Sequence, residues 1–396
     1  MSFTISLCYF STLFSKGYKS EQIKEIIKEF KNHNVNFNCY TLDYSTKYTF
    51  VKKVESYYVS SLPFYINKIY KKFRLYCLYP SYFNYLYSEK LYSLIFGDLI
   101  LKDDSRVIIL KNRPHSLVKK IRNNTNKILV IESDQQHPLF TYSVVEKELN
   151  KYNIKFDNIY TNQNAIKDYT DSFDFADLVI VYTERQRNIL LEYGVKSKIF
   201  INELGLESLP KFKLKSDKEL AEKKYKFITF ANHSILKGTH KLVELWSDFP
   251  NNFELIIAGS VEPDFKFFLK SFRNISGNIS FIETFNKDNL LELSKDYNLI
   301  GILLSLSEAY PRVVSEYFEF GIPVVVSQII DRDIDKFNFG KVVQYDNLTE
   351  IKNALCHLVI PENYYECHKN IYNYNFKTYS DFAKKYLEII KTLVDD

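Results

Sequence analysis

Glycine is scarce in this sequence, with only 10 residues among 396, and methionine and tryptophan occur once each. Glycine tolerates backbone conformations that other residues avoid, so a chain that seldom uses it keeps it where geometry requires it. Each glycine therefore carries information about a turn or a close approach. The sequence also lacks any window of 18 or more uncharged apolar residues, which excludes a predicted transmembrane helix.

Cysteine is sparse as well. The five cysteines are scattered and odd in number, a pattern that does not suit a secreted scaffold held by disulfides. The start of the chain has neither the basic segment nor the small-residue cleavage site of a secretion signal. These features predict a cytoplasmic protein with reduced thiols.

The net charge of +5 is unevenly distributed. From Lys47 to Arg122 there are 15 lysines and arginines against 5 acidic residues, a local balance of +10. This asymmetry indicates an anionic partner for the first half of the chain. No recognisable nucleic-acid-binding motif surrounds the basic excess, so we do not expect nucleic acid to be that partner.

A basic and aromatic stretch lies near residues 62–96. On a helix, three lysines of this stretch would lie opposite a face of six apolar side chains. These six are Tyr65, Ile66, Ile69, Tyr70, Phe73 and Cys77. Such a helix would suit an anionic membrane surface at the inner face of a membrane, where a lipid-linked acceptor resides. Packing of the same apolar face on the protein's own core explains the pattern equally well. Both interpretations stay open.

Short apolar segments alternate with segments of helical periodicity along the whole chain. The first series begins with FTISLCYF, EQIKEIIKEFKNH and VNFNCYTL, and the second runs from KFITFA to IPVVVS. This alternation predicts parallel sheets covered by helices on both faces. A charged segment from Leu206 to Lys224 separates the two series. We therefore expect an α/β protein of two doubly wound domains, with ligands beyond the carboxyl ends of the strands.

The segment ILLSLSEAYPRVVSEYFEFGIPVVVS carries two glutamates, Glu308 and Glu316, eight positions apart. Pro311 suits the first turn of a helix, and Gly321 suits its end. Glu308 is then expected in the loop after a buried strand, and Glu316 in the second turn of the helix. The start of such a helix favours a diphosphate, and a carboxylate one turn further suits vicinal hydroxyls.

This segment resembles the E-x7-E segment of retaining GT-B glycosyltransferases of family 4. Eight residues stand at matching places: Glu308, Pro311, Val313, Glu316, Gly321, Pro323, Val324 and Val325. Other segments resemble the same family in order and spacing, with matches at Gly205, Lys237, Gly238 and Gly259, and with Gly17 at the place of a glycine-rich loop. The resemblance spans nearly the whole chain.

The resemblance implies a GT-B fold of two Rossmann-like domains facing a cleft. Residues 1–205 would bind the acceptor, residues 206–375 the nucleotide sugar, and residues 376–396 would form a helix crossing back to the first domain. The implied reaction moves a sugar from a nucleotide diphosphate sugar to a glycan, lipid-linked or other surface-glycan acceptor, with retention. It needs no cofactor beyond the donor and no obligatory metal.

The resemblance also implies roles for individual residues. Glu316 would hold the ribose hydroxyls of the donor. Glu308 and the residues after it, Ala309, Tyr310 and Pro311, would face the donor sugar and its phosphates. Lys237 would stabilise the charge that builds on the leaving diphosphate.

Some family positions differ here. The arginine that contacts the diphosphate is replaced by Asn232, and Arg312 is the candidate to supply the missing cation. His137 is the best match to a first-domain histidine that touches the donor sugar, and Gly17 and Gly259 complete the predicted donor contacts. Two alternatives stay open: a sugar-nucleotide epimerase of GT-B architecture, and a non-catalytic relative that binds nucleotide.

Overall fold

A computed structural model describes most of the chain. The described residues are 3–12, 18–42, 52–62, 81–111, 115–155, 160–210, 212–250, 252–272, 274–330 and 332–395. The chain divides into two compact units. The first unit comprises Met1–Tyr142, Asp157–Glu207 and Lys377–Asp396, and the second comprises Ser143–Phe156 and Ser208–Phe376.

The first unit is built on an eight-stranded sheet with the order β3-β4-β2-β1-β5-β6-β7-β8. Its strands are β1 (Thr4–Thr12), β2 (Asn36–Leu42), β3 (Lys52–Val54), β4 (Tyr57–Ser60), β5 (Val107–Lys111), β6 (Ile128–Glu132), β7 (Leu178–Val181) and β8 (Lys198–Ile201). All pairings are parallel except that of β3 with β4. Its helices are α1 (Tyr18–Asn32), α2 (Ser81–Lys102), α3 (His115–Asn124), α4 (Pro138–Lys151, shared with the second unit), α5 (Gln163–Asp174), α6 (Glu184–Glu192) and α14 (Tyr379–Asp395).

The second unit contains a six-stranded sheet, entirely parallel, with the order β11-β10-β9-β12-β13-β14. Its strands are β9 (Tyr225–Phe230), β10 (Glu254–Ala258), β11 (Ile279–Ile282), β12 (Asn298–Leu303), β13 (Val324–Ser327) and β14 (Gly340–Val343). Its helices are α7 (Asp217–Glu222), α8 (Thr239–Trp246), α9 (Pro263–Ser271), α10 (Lys287–Asp296), α11 (Arg312–Glu319), α12 (Leu348–Leu358) and α13 (Pro361–Asn373).

The strand order of the second sheet reverses between β9 and β12. Counted within the unit, the order is 3-2-1-4-5-6, that of a dinucleotide-binding Rossmann sheet. In open α/β sheets, ligands bind at the carboxyl ends of the strands that flank such a reversal, here β9 and β12. Every residue of β12 is buried, as its continuous apolar sequence predicts for a central parallel strand. The predicted α/β class with two doubly wound sheets is confirmed.

A buried polar cluster lies at the carboxyl ends of β5 and β6 in the first unit. Glu132 accepts hydrogen bonds from Lys111 Nζ (2.6 Å), Gln22 Nε2 (2.9 Å), and the hydroxyls of Tyr182 (2.6 Å) and Tyr386 (3.1 Å). All five side chains are almost completely buried. Because Gln22 belongs to α1 and Tyr386 to α14, the cluster ties both helices to the sheet.

The segment Ser143–Phe156 lies within the first domain expected from the sequence, but the structure groups it with the second unit. Glu148 accepts hydrogen bonds from Lys241 Nζ (2.7 Å) and His240 Nε2 (3.0 Å) at the start of α8. The Tyr152 hydroxyl lies 2.7 Å from Lys241 Nζ. Burial alone would raise the pKa of Glu148, but these hydrogen bonds outweigh it and hold the pKa at about 2. The segment is therefore anchored by ionised groups.

The basic and aromatic stretch expected near residues 62–96 lies largely outside the described residues, which resume at Ser81 with α2. Within α2, Leu94 is 74 % exposed. No helix in the described part of the chain has the length and apolar character needed to cross a membrane.

We predict that Lys111→Ala lowers the free energy of unfolding by about 3–5 kcal/mol, because it leaves Glu132 as a buried carboxylate without its cation. Urea denaturation followed by circular dichroism measures this change. The double variant Lys111→Met, Glu132→Gln should recover part of the loss, since it removes both charges together.

The matched control is Lys218→Ala, which removes an exposed lysine whose Nζ lies 3.9 Å from Glu222. This substitution should change the free energy of unfolding by less than about 0.5 kcal/mol. Equal stability of the Lys111→Ala and Lys218→Ala variants would show that the Lys111–Glu132 pair does not hold the first unit together.

Candidate active site

Two of the predicted site residues, Lys237 and Glu308, lie in the loops on either side of the strand-order reversal. Lys237 follows β9 and ends a short 3-10 turn, Ile235–Lys237. Glu308 follows β12. Lys237 Nζ and Glu308 Oε1 form an ion pair, so the two loops bring together a cation and a carboxylate 71 positions apart in the sequence.

The two loops approach each other at Gly238. This glycine has φ of +69°, and a Cβ added to it would lie 2.0 Å from the carbonyl oxygen of Leu304. The N–H of Leu306 donates a hydrogen bond of 2.8 Å to the carbonyl of Leu236. A side chain at position 238 would therefore force the loops apart.

Two serines, Ser305 and Ser327, hold Glu308 in place through a chain of hydrogen bonds. The Ser305 hydroxyl donates to Glu308 Oε1 at 3.0 Å. The Ser327 hydroxyl, at the end of β13, donates to the Ser305 carbonyl at 2.6 Å. The Glu308 carboxylate is thus held by the ends of two neighbouring strands, and its side chain is still 13 % exposed.

His233 and Asp264 fix the loop that carries Lys237, and sequence reasoning missed both. His233 Nε2 donates to the Ala258 carbonyl (2.8 Å), and Nδ1 accepts from the Thr239 hydroxyl (2.9 Å). Burial lowers the pKa of His233 to about 4, so the ring is neutral at physiological pH. Asp264 accepts from the N–H of Ile235 at 3.1 Å, and burial raises its pKa to about 6.

Asn232 and Gly259 lie at the same edge of the sheet. The Ser260 hydroxyl donates to Asn232 Oδ1 at 2.7 Å, which leaves the NH₂ group as the donor of this amide. Gly259 directly follows β10, and its N–H donates to the Ile282 carbonyl at 2.8 Å. Asn232 therefore offers a neutral donor where the resembled family carries a cation.

Helix α11 begins at Arg312, so Pro311 is the N-cap residue and does not lie in the first turn. No side chain caps this helix start, and the positive end of the helix dipole there favours an anionic ligand. Ala309 and Tyr310, which precede Pro311, are both buried. Farther along, the Tyr317 hydroxyl accepts from the Phe230 N–H (3.1 Å) and donates to the Ile228 carbonyl (3.2 Å). These bonds fix α11 at the carboxyl end of β9.

Arg312 and Glu316 form an ion pair one helical turn apart, with 3.0 Å between Arg312 Nε and Glu316 Oε1. The Glu316 side chain is 6 % exposed and that of Arg312 is 33 % exposed. Glu319, a further turn along α11, is bound instead by Lys287 and Ser208. Each of the two predicted carboxylates thus has one of the two predicted cations as its partner.

The sequence also predicts His137 and Gly17 as site residues. His137 lies in the first unit and is fully buried, with its ring stacked on Tyr193 (4.9 Å between centroids) and on Phe173 (5.8 Å). Its Nδ1 accepts from the Leu139 N–H at 3.2 Å. The contact of His137 with a donor sugar stays a prediction. Gly17 lies outside the described residues.

Among the described residues, no group of three His, Cys, Asp or Glu side chains is arranged to hold a metal ion.

The structure is similar to solved glycosyltransferases along its whole length. Sucrose-phosphate synthase from Thermosynechococcus elongatus aligns with a TM-score of 0.72 at 12 % identity, covering 99 % of each chain. A trehalose-6-phosphate structure from E. coli with bound UDP-2-fluoro glucose aligns with a TM-score of 0.65 at 11 % identity, covering 98 % of this chain and 99 % of the other. The fold is that of the GT-B glycosyltransferases.

Two further comparisons bear on this GT-B protein. A trehalose-6-phosphate synthase, studied with bisubstrate glycomimetics for glycosyl transfer with retention, aligns with a TM-score of 0.62 at 12 % identity over 99 % of each chain. Residues 210–331 match the family model described as Glycosyl transferases group 1. That range contains the candidate site from Asn232 to Glu316. No curated protein matches the sequence.

We predict that Gly238→Ala destabilises the protein and abolishes the Lys237–Glu308 pairing, because the new Cβ would overlap the Leu304 carbonyl. The matched control is Gly194→Ala. Gly194 also has a positive φ, of +82°, but an added Cβ would meet no atom within 4 Å.

Both alanines carry the left-handed backbone penalty of about 1–2 kcal/mol, so the difference between the variants isolates the steric overlap. Thermal denaturation should show a clearly lower Tm for Gly238→Ala than for Gly194→Ala. Equal Tm values would contradict the close approach of the two loops.

Proposed function

We propose that this protein is a glycosyltransferase that takes its sugar from a nucleotide diphosphate sugar bound at the carboxyl edge of the second sheet. The observation that carries the proposal is the pair of cation–carboxylate contacts, Lys237–Glu308 and Arg312–Glu316, at the strand-order reversal. A crevice with two cations beside an uncapped helix start suits a diphosphate. The group 1 match over residues 210–331 and the GT-B fold support the same assignment.

In this proposal the donor replaces the internal partners of all four charged side chains. The diphosphate takes over Lys237 and Arg312 as counter-charges, together with the first N–H groups of α11. Glu316 then accepts hydrogen bonds from the two ribose hydroxyls. Glu308, with Ala309, Tyr310 and Pro311 after it, faces the donor sugar, and Asn232 and Gly259 line the phosphate side.

The proposed reaction proceeds with retention at the anomeric carbon. The bond between the anomeric carbon and the diphosphate oxygen breaks, and a bond to the acceptor oxygen forms on the same face. The acceptor proton passes to the leaving diphosphate oxygen, so no enzymic nucleophile and no obligatory metal is required. Lys237 stabilises the charge that develops on the leaving group. The neighbour studied for transfer with retention gives support for this stereochemistry.

For the acceptor we propose a glycan or lipid-linked glycan, bound by residues of the first unit, in the cytoplasm or at the inner face of a membrane. The basic excess between Lys47 and Arg122 supports an anionic surface or acceptor on that side. The similarity in fold to sucrose-phosphate synthase and trehalose-6-phosphate synthase supports a sugar-containing acceptor.

We predict that one nucleoside diphosphate sugar among UDP-, GDP- and ADP-linked sugars raises Tm in proportion to the logarithm of its concentration over Kd, and that a CMP-linked sugar, which has a single phosphate, does not. Glu316→Gln should weaken that ligand about 10- to 100-fold, because hydrogen bonds to a charged group contribute about 1.5–3 kcal/mol. The matched control is Glu319→Gln, which alters a buried glutamate of the same helix outside the proposed site.

Product analysis with labelled donor separates the alternatives. A glycosyltransferase forms free nucleotide and a glycosylated acceptor, whereas an epimerase changes the sugar while it stays linked to the nucleotide. Binding without turnover on any donor or acceptor extract would favour the non-catalytic relative. A wild-type affinity in Glu316→Gln would rule out the ribose assignment.

We predict that Arg312→Gln weakens the best donor about tenfold, because the diphosphate loses one of its two cations, while Arg312→Lys keeps most of the affinity. The second-site variant Asn232→Arg should restore binding to Arg312→Gln, since it places a cation on the opposite side of the phosphates. Calorimetric titration with the donor measures all four affinities. If Arg312→Gln binds as tightly as the wild type, the cation is supplied elsewhere.

A further inference from the structure

A third positively charged side chain reaches the candidate site from the loop between β13 and β14. The guanidinium carbon of Arg332 lies 4.2 Å from the centroid of the Tyr310 ring and 5.3 Å from that of Phe318. Its Nη1 donates a hydrogen bond of 2.8 Å to the Ser315 hydroxyl. The Arg332 guanidinium thus lies over the Tyr310 ring and also donates a hydrogen bond to Ser315.

The partners of Arg332 belong to the two segments that carry the site glutamates. Tyr310 lies two residues after Glu308, in the loop that precedes α11. Ser315 directly precedes Glu316 within α11. One guanidinium therefore bridges the loop and the helix between which the proposed donor would bind.

These contacts lie in a well-packed environment. Tyr310 is 9 % exposed, Ser315 is 2 % exposed and Phe318 is 1 % exposed. The attraction between a guanidinium and an aromatic face strengthens as water is excluded. Among the described residues, no carboxylate lies within ion-pair distance of Arg332. The contribution of this side chain to the site therefore comes from its planar shape and directed N–H groups.

We propose that Arg332 is a positioning residue of the donor site. It fixes the Glu308–Pro311 loop against α11 and so keeps the carboxylates of Glu308 and Glu316 at a fixed distance from each other. This inference deepens the proposed function and rests on it where donor binding is concerned. The position of the loop itself can be measured without any donor.

The shape of the side chain gives a sharp distinction. Lysine keeps the charge of arginine but has neither its plane nor its fork of donors, so it cannot stack on Tyr310 while bonding to Ser315. If Arg332 acts by positioning, the Arg332→Lys variant should lose the function of the arginine although it keeps the positive charge. If it acts only as a positive charge near the phosphates, Arg332→Lys should resemble the wild type.

The first measurement is amide hydrogen exchange of the donor-free protein, compared between wild type and Arg332→Lys. We expect faster exchange at the amides of residues 308–316, with the strands β9 and β12 unchanged. The matched control is Lys336→Leu, which removes a cation stacked at 4.9 Å on Phe337 in the same loop, away from Tyr310. Unchanged exchange at residues 308–316 in Arg332→Lys would overturn the proposal whether or not a donor is known.

The second measurement uses the donor that binds the wild type. Arg332→Lys should weaken donor binding about tenfold and lower kcat, since both glutamates lose their register, whereas Lys336→Leu should change neither. In a double-mutant cycle, Arg332→Lys should add little to Tyr310→Leu, because both remove the same stack. Fully additive losses would overturn the proposal. Absence of donor binding by the wild type would instead count against the proposed function and leave the exchange result decisive.

Discussion

The close approach of Gly238 to the Leu304 backbone is the constraint on which the candidate site depends. The loops after β9 and β12 diverge from the sheet at the strand-order reversal, and only a residue without a Cβ lets them meet. Because the loops meet, Lys237 lies against Glu308. Ser305 and Ser327, at the ends of neighbouring strands, hold the Glu308 carboxylate in place. A steric condition at one glycine therefore sets the position of the site's charges.

The electrostatic arrangement follows from that geometry. Each carboxylate of the site is paired with a cation from the same site, which avoids the cost of unpaired charges in a partly buried place. A ligand that carries both anionic groups and neutral hydroxyls can exchange partners with both pairs at once. Its phosphates replace carboxylates at Lys237 and Arg312, while its hydroxyls supply donors to Glu316. A ligand with phosphates alone would take the arginine counter-charge from the buried Glu316 without supplying hydroxyl donors in its place.

The sequence predicts those parts of the site whose contacts are local or whose pattern is repeated. The buried strand before Glu308, the helix start near Pro311 and the end of that helix near Gly321 are readable from runs of apolar residues and from proline and glycine. His233, Asp264 and Arg332 are not readable, because each acts through contacts set by the tertiary fold and none stands in a recognisable pattern. The ring contacts of His137 with Phe173 and Tyr193 are likewise set by the tertiary fold and could not be predicted from its place in the sequence.

The first unit shows why position at a strand end is not sufficient for a ligand site. Lys111 and Glu132 end two neighbouring parallel strands and form a lysine–glutamate pair, as Lys237 and Glu308 do after β9 and β12. The side chains of the first pair are 1 % and 0 % exposed, with further donors from three buried side chains, whereas those of the second are 25 % and 13 % exposed. The first pair is almost completely buried and Glu132 is hydrogen-bonded by side chains of two helices, so it serves to join helices to the sheet. The second can exchange its partner for a ligand, and that difference in exposure separates a structural ion pair from a candidate active site.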